Sequence, residues 1–381
     1  MDFVLMLALF LAAVWLYVAW RFARGLPGSR GVRWAVALLL LVMAEYRLWA
    51  SAIFGGAPAQ VLPRPALIVL AWAFGGFLLL AMLMLLRDIL GLLAWPLHKR
   101  VGRRILAGGW HVVGIGVLAA LLAGWGVYQA VKVPAVKRVS VTVPHLPPAF
   151  DGYRIAQLSD LHATRLLPAW WQAAVVRRTN ALDANLIVIT GDLEDGTPAA
   201  RGADVRPLGN LRASDGVLAV PGNHEYYAGA YRSWIKLFRQ LGLDVLENAH
   251  VVIHHDGAAL GVVGLTDRAA DHLGLPGPDL AKARQGLAPD MPFIVLMHRP
   301  DTARAIARSG ALLELAGHTH GGQIVGPSLL TKWANEGFVS GLYKVGTMRL
   351  YVSNGTGLWA GLAIRLGRPS EITLITLHAG T

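Results

Sequence analysis

Two imidazoles one residue apart, bounded by glycine, stand in Gly317-His318-Thr319-His320-Gly321-Gly322. In an extended segment side chains at i and i+2 point the same way, so His318 and His320 are expected to face one spot. The glycines permit sharp turns and let backbone approach a ligand closely. Four other segments offer donors of the same chemical kind: Ser159-Asp160-Leu161-His162, Thr190-Gly191-Asp192, Pro221-Gly222-Asn223-His224-Glu225 and Met297-His298-Arg299-Pro300. Each of the five follows a short apolar run. Taken singly, an Asp or Asn at a strand end is ordinarily a turn residue, and a lone histidine is ordinarily structural. Turn chemistry does not explain five run ends in succession finishing in oxygen or nitrogen donors, in a chain with only 23 Asp+Glu and 13 His. Together they are expected to be the donors of a divalent metal site.

Other chemistries are excluded or unsupported. There is no cysteine, so thiolate sites, disulfides and a cysteine nucleophile are absent. No Walker loop and no Gly-x-Ser-x-Gly elbow occurs, and Gly355 and Gly357 do not complete a dinucleotide pattern. His250, His254 and His255 match no motif and read as surface histidines. Glu194, Asp195 and Arg299 neighbour candidate donors and are expected to position them.

The elements that must carry these donors follow from periodicity. Short apolar runs are expected as strands at Tyr153 to Leu158, Leu186 to Thr190, Val217 to Val220, Val251 to His255, Leu260 to Leu265, Phe293 to Met297, Leu312 to Ala316, Leu350 to Val352 and Ile372 to Leu377. Amphipathic stretches such as Pro168 to Leu182 and Tyr231 to Leu241 lie between some of them. The alternation predicts an α/β domain over 151–381 with donors collected at the carboxyl ends of strands.

Upstream the character changes. The chain is 55% hydrophobic, high for a soluble protein. Four apolar runs, Phe3 to Trp20, Trp34 to Phe54, Pro65 to Leu86 and Gly109 to Ala130, each approach the roughly 20 residues that cross a hydrocarbon core. They predict a transmembrane region over 1–133 with about four helices, followed by a proline-bearing linker or edge segment over 134–150. The first run reads as a retained helix, because Asp2 precedes it and no basic residue does. Up to residue 140 there are 14 Lys+Arg against 3 Asp+Glu; beyond it, 21 against 20. The net charge of +12 therefore belongs to the apolar region, and no nucleic-acid partner is expected. Arginines 21, 24, 30 and 33, and the basic residues from Arg87 to Arg104, mark two cytoplasmic segments. That orientation would put the C-terminal α/β domain on the outer, periplasmic or extracellular, side of the plasma membrane. Within the runs Glu45, Arg47 and His111 are the ionisable candidates, with Glu45 and His111 expected to be buried against other helices. Six tryptophans near run ends read as interfacial anchors.

The ordered set Asp160-x-His162, Gly191-Asp192, Gly222-Asn223-His224-Glu225, His298 and Gly317-His318-x-His320 resembles the signature of the calcineurin-like metallophosphoesterases. The form Gly-His-Thr-His-Gly-Gly-Gln, completed by Gln323, is similar to the membrane-associated bacterial branch called YkuE-like. The resemblance runs from Val139 to the C-terminus. Two details depart from it: Ala163-Thr164 stand where many members have glycine, and Glu225 where Asp is common.

The resemblance implies a four-layer α/β/β/α sandwich with two divalent ions, one on Asp160, His162 and His320, the other on Asn223, His298 and His318. Asp192 would bridge them. Mixed nitrogen and oxygen ligands suit Mn, Fe, Zn or Ni. The implied reaction is phosphate-ester hydrolysis by a hydroxide bridging metals about 3.5 to 4 Å apart. His224 would protonate the leaving oxygen, for which an ordinary imidazole pKa of about 6.5 is suitable. A lipid or cell-envelope phosphodiester is the expected substrate. The rival readings are a membrane transport or sensing protein with a ligand-binding outer domain, and a cytoplasmic-facing pyrophosphatase of the UDP-diacylglucosamine type.

Overall fold

The computed structural model describes residues 3–55 and 58–380, so Asp2 lies outside the described residues. The chain divides into two compact units. One runs up to Gln129 and includes Leu362–Ile364; the other runs from Ala130 to Gly361 and resumes at Arg365.

The first unit is helical. Helix α1 (Phe3–Val18) continues into a π-turn at Ala19–Ala23. Then come α2 (Arg30–Ala44), α3 (Tyr46–Phe54), the single turn α4 (Pro58–Val61), α5 (Arg64–Leu97), α6 (Lys99–Leu106) and α7 (Trp110–Val131). Among the described residues, Leu5–Ala23, Arg64–Leu97 and Trp110–Val131 are long and apolar enough to cross a membrane. Helices α2 and α3 make a fourth span only if their 63° bend is counted within one crossing. The bend falls at Glu45, which leaves helical geometry (φ −95°, ψ 19°) and is half-buried rather than buried as expected. His111 is also corrected. It sits in the first turn of α7 and is exposed, because the helix begins there and its apolar body lies beyond.

The third apolar run is longer than expected. It continues past Leu86 to Leu97 and so carries Arg87 and Asp88 into the helix. Asp88 is satisfied by Arg21, whose Nε and Nη2 donate at 2.6 and 2.7 Å, and by the Tyr17 hydroxyl at 2.9 Å. An ionisable group on an apolar helix is tolerable when it is paired in this way.

The second unit holds two six-stranded sheets. Its strands are β1 (Ala135–Pro144), β2 (Arg154–Leu158), β3 (Leu186–Thr190), β4 (Val217–Val220), β5 (Asp244–Val245), β6 (Ala249–His255), β7 (Ala258–Gly264), β8 (Phe293–Leu296), β9 (Leu313–Ala316), β10 (Gly341–Val345), β11 (Met348–Val352) and β12 (Glu371–Gly380). One sheet has the order β1-β12-β2-β3-β4-β5, the other β10-β11-β9-β8-β7-β6. Side chains of both, among them Val188, Leu218, Ile294, Leu313 and Ile375, form one buried core, so the sheets pack face to face. The outer face of the second sheet is covered by Ala303 and Ile306 of a short helix. Strand β3 is apolar at four successive positions and buried throughout, as a parallel strand covered on both faces requires. The whole is the sandwich implied by the resemblance.

The segment over 134–150 is not simply a linker. Strand β1 pairs in parallel with β12 from Ala135↔Glu371 to Pro144↔Gly380. Val139, Val141 and Val143 alternate with polar residues, the pattern of a half-buried strand, and the prolines stand only at its ends, where they cost no ladder bond.

Candidate metal centre

The C-terminal ends of β2, β3 and β4 in one sheet and of β8 and β9 in the other open into five loops that meet at one edge of the sandwich. Backbone bonds fasten the loops together: Asp160 N–H donates to Gly191 O, His162 N–H to Asp192 O, and Gly317 N–H to His298 O, at 2.9 to 3.0 Å. Gln157 ties the sheets to each other beneath them, its amide donating to Thr190 Oγ1 and to Ala316 O at 3.0 Å.

All seven candidate ligands converge. His162 Nε2 lies 3.1 Å from His320 Nε2, which lies 3.4 Å from Asp160 Oδ1. His298 Nε2 lies 3.1 Å from Asn223 Oδ1 and 3.2 Å from His318 Nδ1. Asp192 Oδ2 reaches both clusters, 3.6 Å from His162 Nε2 and 3.2 Å from His298 Nε2. Asp160, His162 and His320 form one group able to hold an ion, and Asp192, His298 and His318 form another. Lone-pair donors packed this closely around two points, with the Asp192 carboxylate between them, fit a pair of cations.

The histidine pair does not converge as an extended segment would. His318 (φ 68°) and His320 (φ 49°) are left-handed with right-handed Thr319 between them, so the rings diverge, one to each cluster. Asp160, His162 and Asp192 are left-handed too, at 52°, 43° and 55°. Left-handed backbone is costly for residues with a Cβ and gathers at functional sites. Glycine is required beside them: a Cβ on Gly191 would lie 2.6 Å from His298 Nδ1.

Burial and charge set the proton affinities. Burial pushes the Asp160 carboxyl up. It would do the same to Asp192, but the charges of His298 and His224 hold that carboxyl well below its ordinary range. Burial depresses His318 and His320 well below 6.5, reinforced respectively by His298 with Arg299 and by His162 with Arg365, so both rings are neutral. Against its burial, the Asp192 carboxylate raises His298 to about 10.

His224 stands beside the centre. Its Nδ1 is paired with Asp195 Oδ1, which also meets His162 Nδ1 at 3.0 Å. Burial would lower its pKa, but Asp192 and Asp195 raise it to about 9 rather than leaving it near 6.5. The ring is therefore protonated at neutral pH.

Several neighbours complete the site, of which sequence reasoning missed Ser159 and Arg365, undervalued Glu225, and singled out Arg299 and Glu194. Glu225, read as a departure, accepts from the N–H groups of Gly222 (2.6 Å), Leu193 (2.6 Å) and Asp192 (3.1 Å), so the longer side chain stitches two donor loops together. Ser159 donates to Asp160 Oδ2 at 2.6 Å. Arg365, fully buried, donates to His320 O and to the carbonyls of Asn354 and Gly357. No motif marks it, since it lies 45 residues from the histidine it supports. Arg299 bonds Asp267 at 2.8 Å and approaches His318 Nε2 at 2.8 Å. Glu194 is buried nearby and pushed up to about 11 by burial and by Glu225, hence uncharged.

Comparison with known proteins places this geometry. The family model "Calcineurin-like phosphoesterase" matches residues 153–322. A "Transmembrane protein with metallophosphoesterase domain" of Bos taurus is 37% identical over 274 residues, 69% of this chain and 61% of that protein. The chain thus spans about three fifths of that relative's length. An "Uncharacterized metallophosphoesterase" of Campylobacter jejuni is 34% identical over 262 residues, 68% of each chain. "UDP-2,3-diacylglucosamine pyrophosphatase LpxG" of Chlamydia trachomatis is 27% identical over 318 residues, 68% of this chain and 94% of that one. The chain belongs to the calcineurin-like metallophosphoesterases, hydrolases of phosphate esters that typically bind two divalent metal ions.

Proposed function

We propose that the protein is a membrane-anchored phosphodiesterase acting on lipid or cell-envelope phosphodiesters. The observation that carries the catalytic part is the position of Asp192 Oδ2 between two donor clusters. Asp160, His162 and His320 would hold one divalent ion, Asn223, His298 and His318 the other, with Asp192 shared because a carboxylate has two oxygens. Such a pair of ions, when bound, clamps a phosphoryl group and supplies hydroxide near neutral pH. Neutral Asn223 in place of a third carboxylate keeps the loaded site positive and so attractive to a phosphate anion. His224, held protonated by Asp195 and partly open to solvent, delivers its proton to the leaving oxygen.

Anchoring is supported by the three to four helices of spanning length, and the outer-side orientation by the bias of basic residues. The lipid class is supported by that anchor, which would keep the site near head groups, and by what the chlamydial relative's name says it cleaves. The pyrophosphatase activity in that relative's name supports the second reading, a pyrophosphatase, whose cytoplasmic-facing orientation is tested by the fusion below.

Three assays of the full chain in mixed micelles test these points. With Mn present, a bis-aryl phosphate is expected to be hydrolysed and Asp192→Asn to fall to background; undiminished activity in that variant removes the mechanism. A phospholipid is expected to be turned over faster than soluble nucleotides, and the reverse order removes the lipid assignment. An alkaline phosphatase fused at the C-terminus is expected to be active, whereas an inactive fusion with a fluorescent cytoplasmic counterpart selects the second reading.

A further inference from the structure

A second concentration of phosphate-binding chemistry lies in the helical unit, among residues that the hydrolytic reading does not use. Trp20, Arg21, Arg24, Leu26, Arg33 and Arg87, with the glycines at 25, 108 and 109, line a cavity of about 570 Å³. Four arginines therefore line one cavity, and the carboxylate beside two of them is Asp88.

The four are not equivalent. Arg21 is committed to Asp88 through Nε and Nη2. Arg87 donates to Ile105 O and Ala107 O at 2.8 Å, fixing the end of α6. Among the described residues Arg33 bonds only through Nε, to Leu26 O at 2.9 Å. The Arg24 side chain is exposed and makes no hydrogen bond or ion pair among the described residues. Two arginines thus build the wall, and two keep donors for a ligand. One carboxylate against four cations leaves the cavity positive whatever the pH of the cell.

The cavity is also a constructed feature. Charge alone, which is all that orienting a helix requires, would be served by arginines on an open loop. Here the loop after the π-turn is folded back: Gly109 N–H donates to Gly25 O at 2.8 Å, and a Cβ on Gly108 would come 2.6 Å from Gly25 O. The π-turn at Ala19–Ala23 is itself a local irregularity of a kind that recurs at functional sites. Trp20 is 61% exposed at the rim, with Arg21 stacked 5.1 Å from its ring, as suits a side chain at the level of lipid head groups.

We infer that this cavity is a binding site for a phosphate group, supplied by the head group of an anionic phospholipid. Planar guanidiniums match phosphate oxygens in pairs, and basic pockets between membrane helices take acidic head groups. The site is independent of the metal centre.

The test uses the full chain in detergent, titrated with phosphatidylglycerol, phosphatidylcholine, glycerol phosphate or inorganic phosphate and followed by thermal unfolding and Trp fluorescence. Phosphatidylglycerol is expected to raise Tm and phosphatidylcholine to leave it unchanged. Arg24→Gln is expected to weaken the apparent affinity about fivefold, the worth of one basic residue near an anionic surface. Arg24→Lys should retain part of it, and Arg100→Gln, exposed on α6, all of it. An unchanged Tm of each variant in phosphatidylcholine alone shows that it has folded. Saturation by inorganic or glycerol phosphate, sensitive to Arg24→Gln, supports the phosphate site but makes its ligand a soluble anion. Equal responses to the two lipids, or equal losses in Arg24→Gln and Arg100→Gln, overturn the inference.

Discussion

Asp195 touches two rings at once, and that explains how one residue can serve both a prospective ligand and a prospective acid. On His162 it fixes the proton at Nδ1 and frees Nε2 for the centre; on His224 it holds a proton in place. His224→Gln is expected to lower kcat by about 10²- to 10⁴-fold for alkyl phosphodiesters and much less for aryl esters, whose leaving groups need no proton. Divalent-ion binding, read by calorimetry, should be nearly unchanged in that variant. Because His224 acts protonated, activity is expected to fall as pH rises through its pKa. Asp195→Asn removes one of the charges that raise it, so the alkaline limb of the pH profile should move to lower pH; a limb that stays in place would assign it to another group. At this scale much was legible in the sequence. Seven donors and His224 stand in short motifs, each tied to a strand end, and chemistry of that kind is local. Arg365 and Glu225 were not legible, because what they do depends on which backbone groups the fold brings to them.

The strands were legible where burial makes them continuous, as in Leu186-Ile-Val-Ile-Thr190, and hidden where they are short or edge-bound, as in Asp244–Val245 and β1. The local reading of Gly317 to Gly322 had the right residues and the wrong backbone, since a period-two rule does not foresee left-handed φ at both histidines. Among helices, α5 was cut short at Leu86 because Arg87 and Asp88 end an apolar run, although Arg21 supplies the partner that lets the helix continue. Breaking a mostly buried pair leaves a charge stranded, so Arg21→Met is expected to destabilise the helical unit by about 3 to 5 kcal/mol. The double change Arg21→Met with Asp88→Leu should recover most of this, as measured by thermal unfolding in detergent. A single variant as stable as the parent would show that the Tyr17 hydroxyl and Arg87, 3.5 Å from Asp88 Oδ1, hold the carboxylate without Arg21.

For the whole molecule, the site joins stability to pH and to metal. Without ions, His298 and His224 keep protons to about 10 and about 9, whereas unfolded histidine releases its proton near about 6.5. A raised pKa gives stability that is complete below the unfolded value and lost as pH climbs through the folded one. The chelator-treated protein is therefore expected to lose Tm progressively between about pH 6.5 and 10. Divalent ions compete with the same protons, so their affinity should rise over that window and the loaded protein should show a flatter profile. Calorimetry with and without Mn reads both; a pH-independent Tm after chelation would contradict the assignment.

The pairing of β1 with β12 bears on how the protein is made. The strand that fills the slot between β1 and β2 comes after every strand of the second sheet in the sequence, so the first sheet stays split until those have been made. Loss of β12 would remove an interior plank rather than a fringe, parting β1 from the remainder.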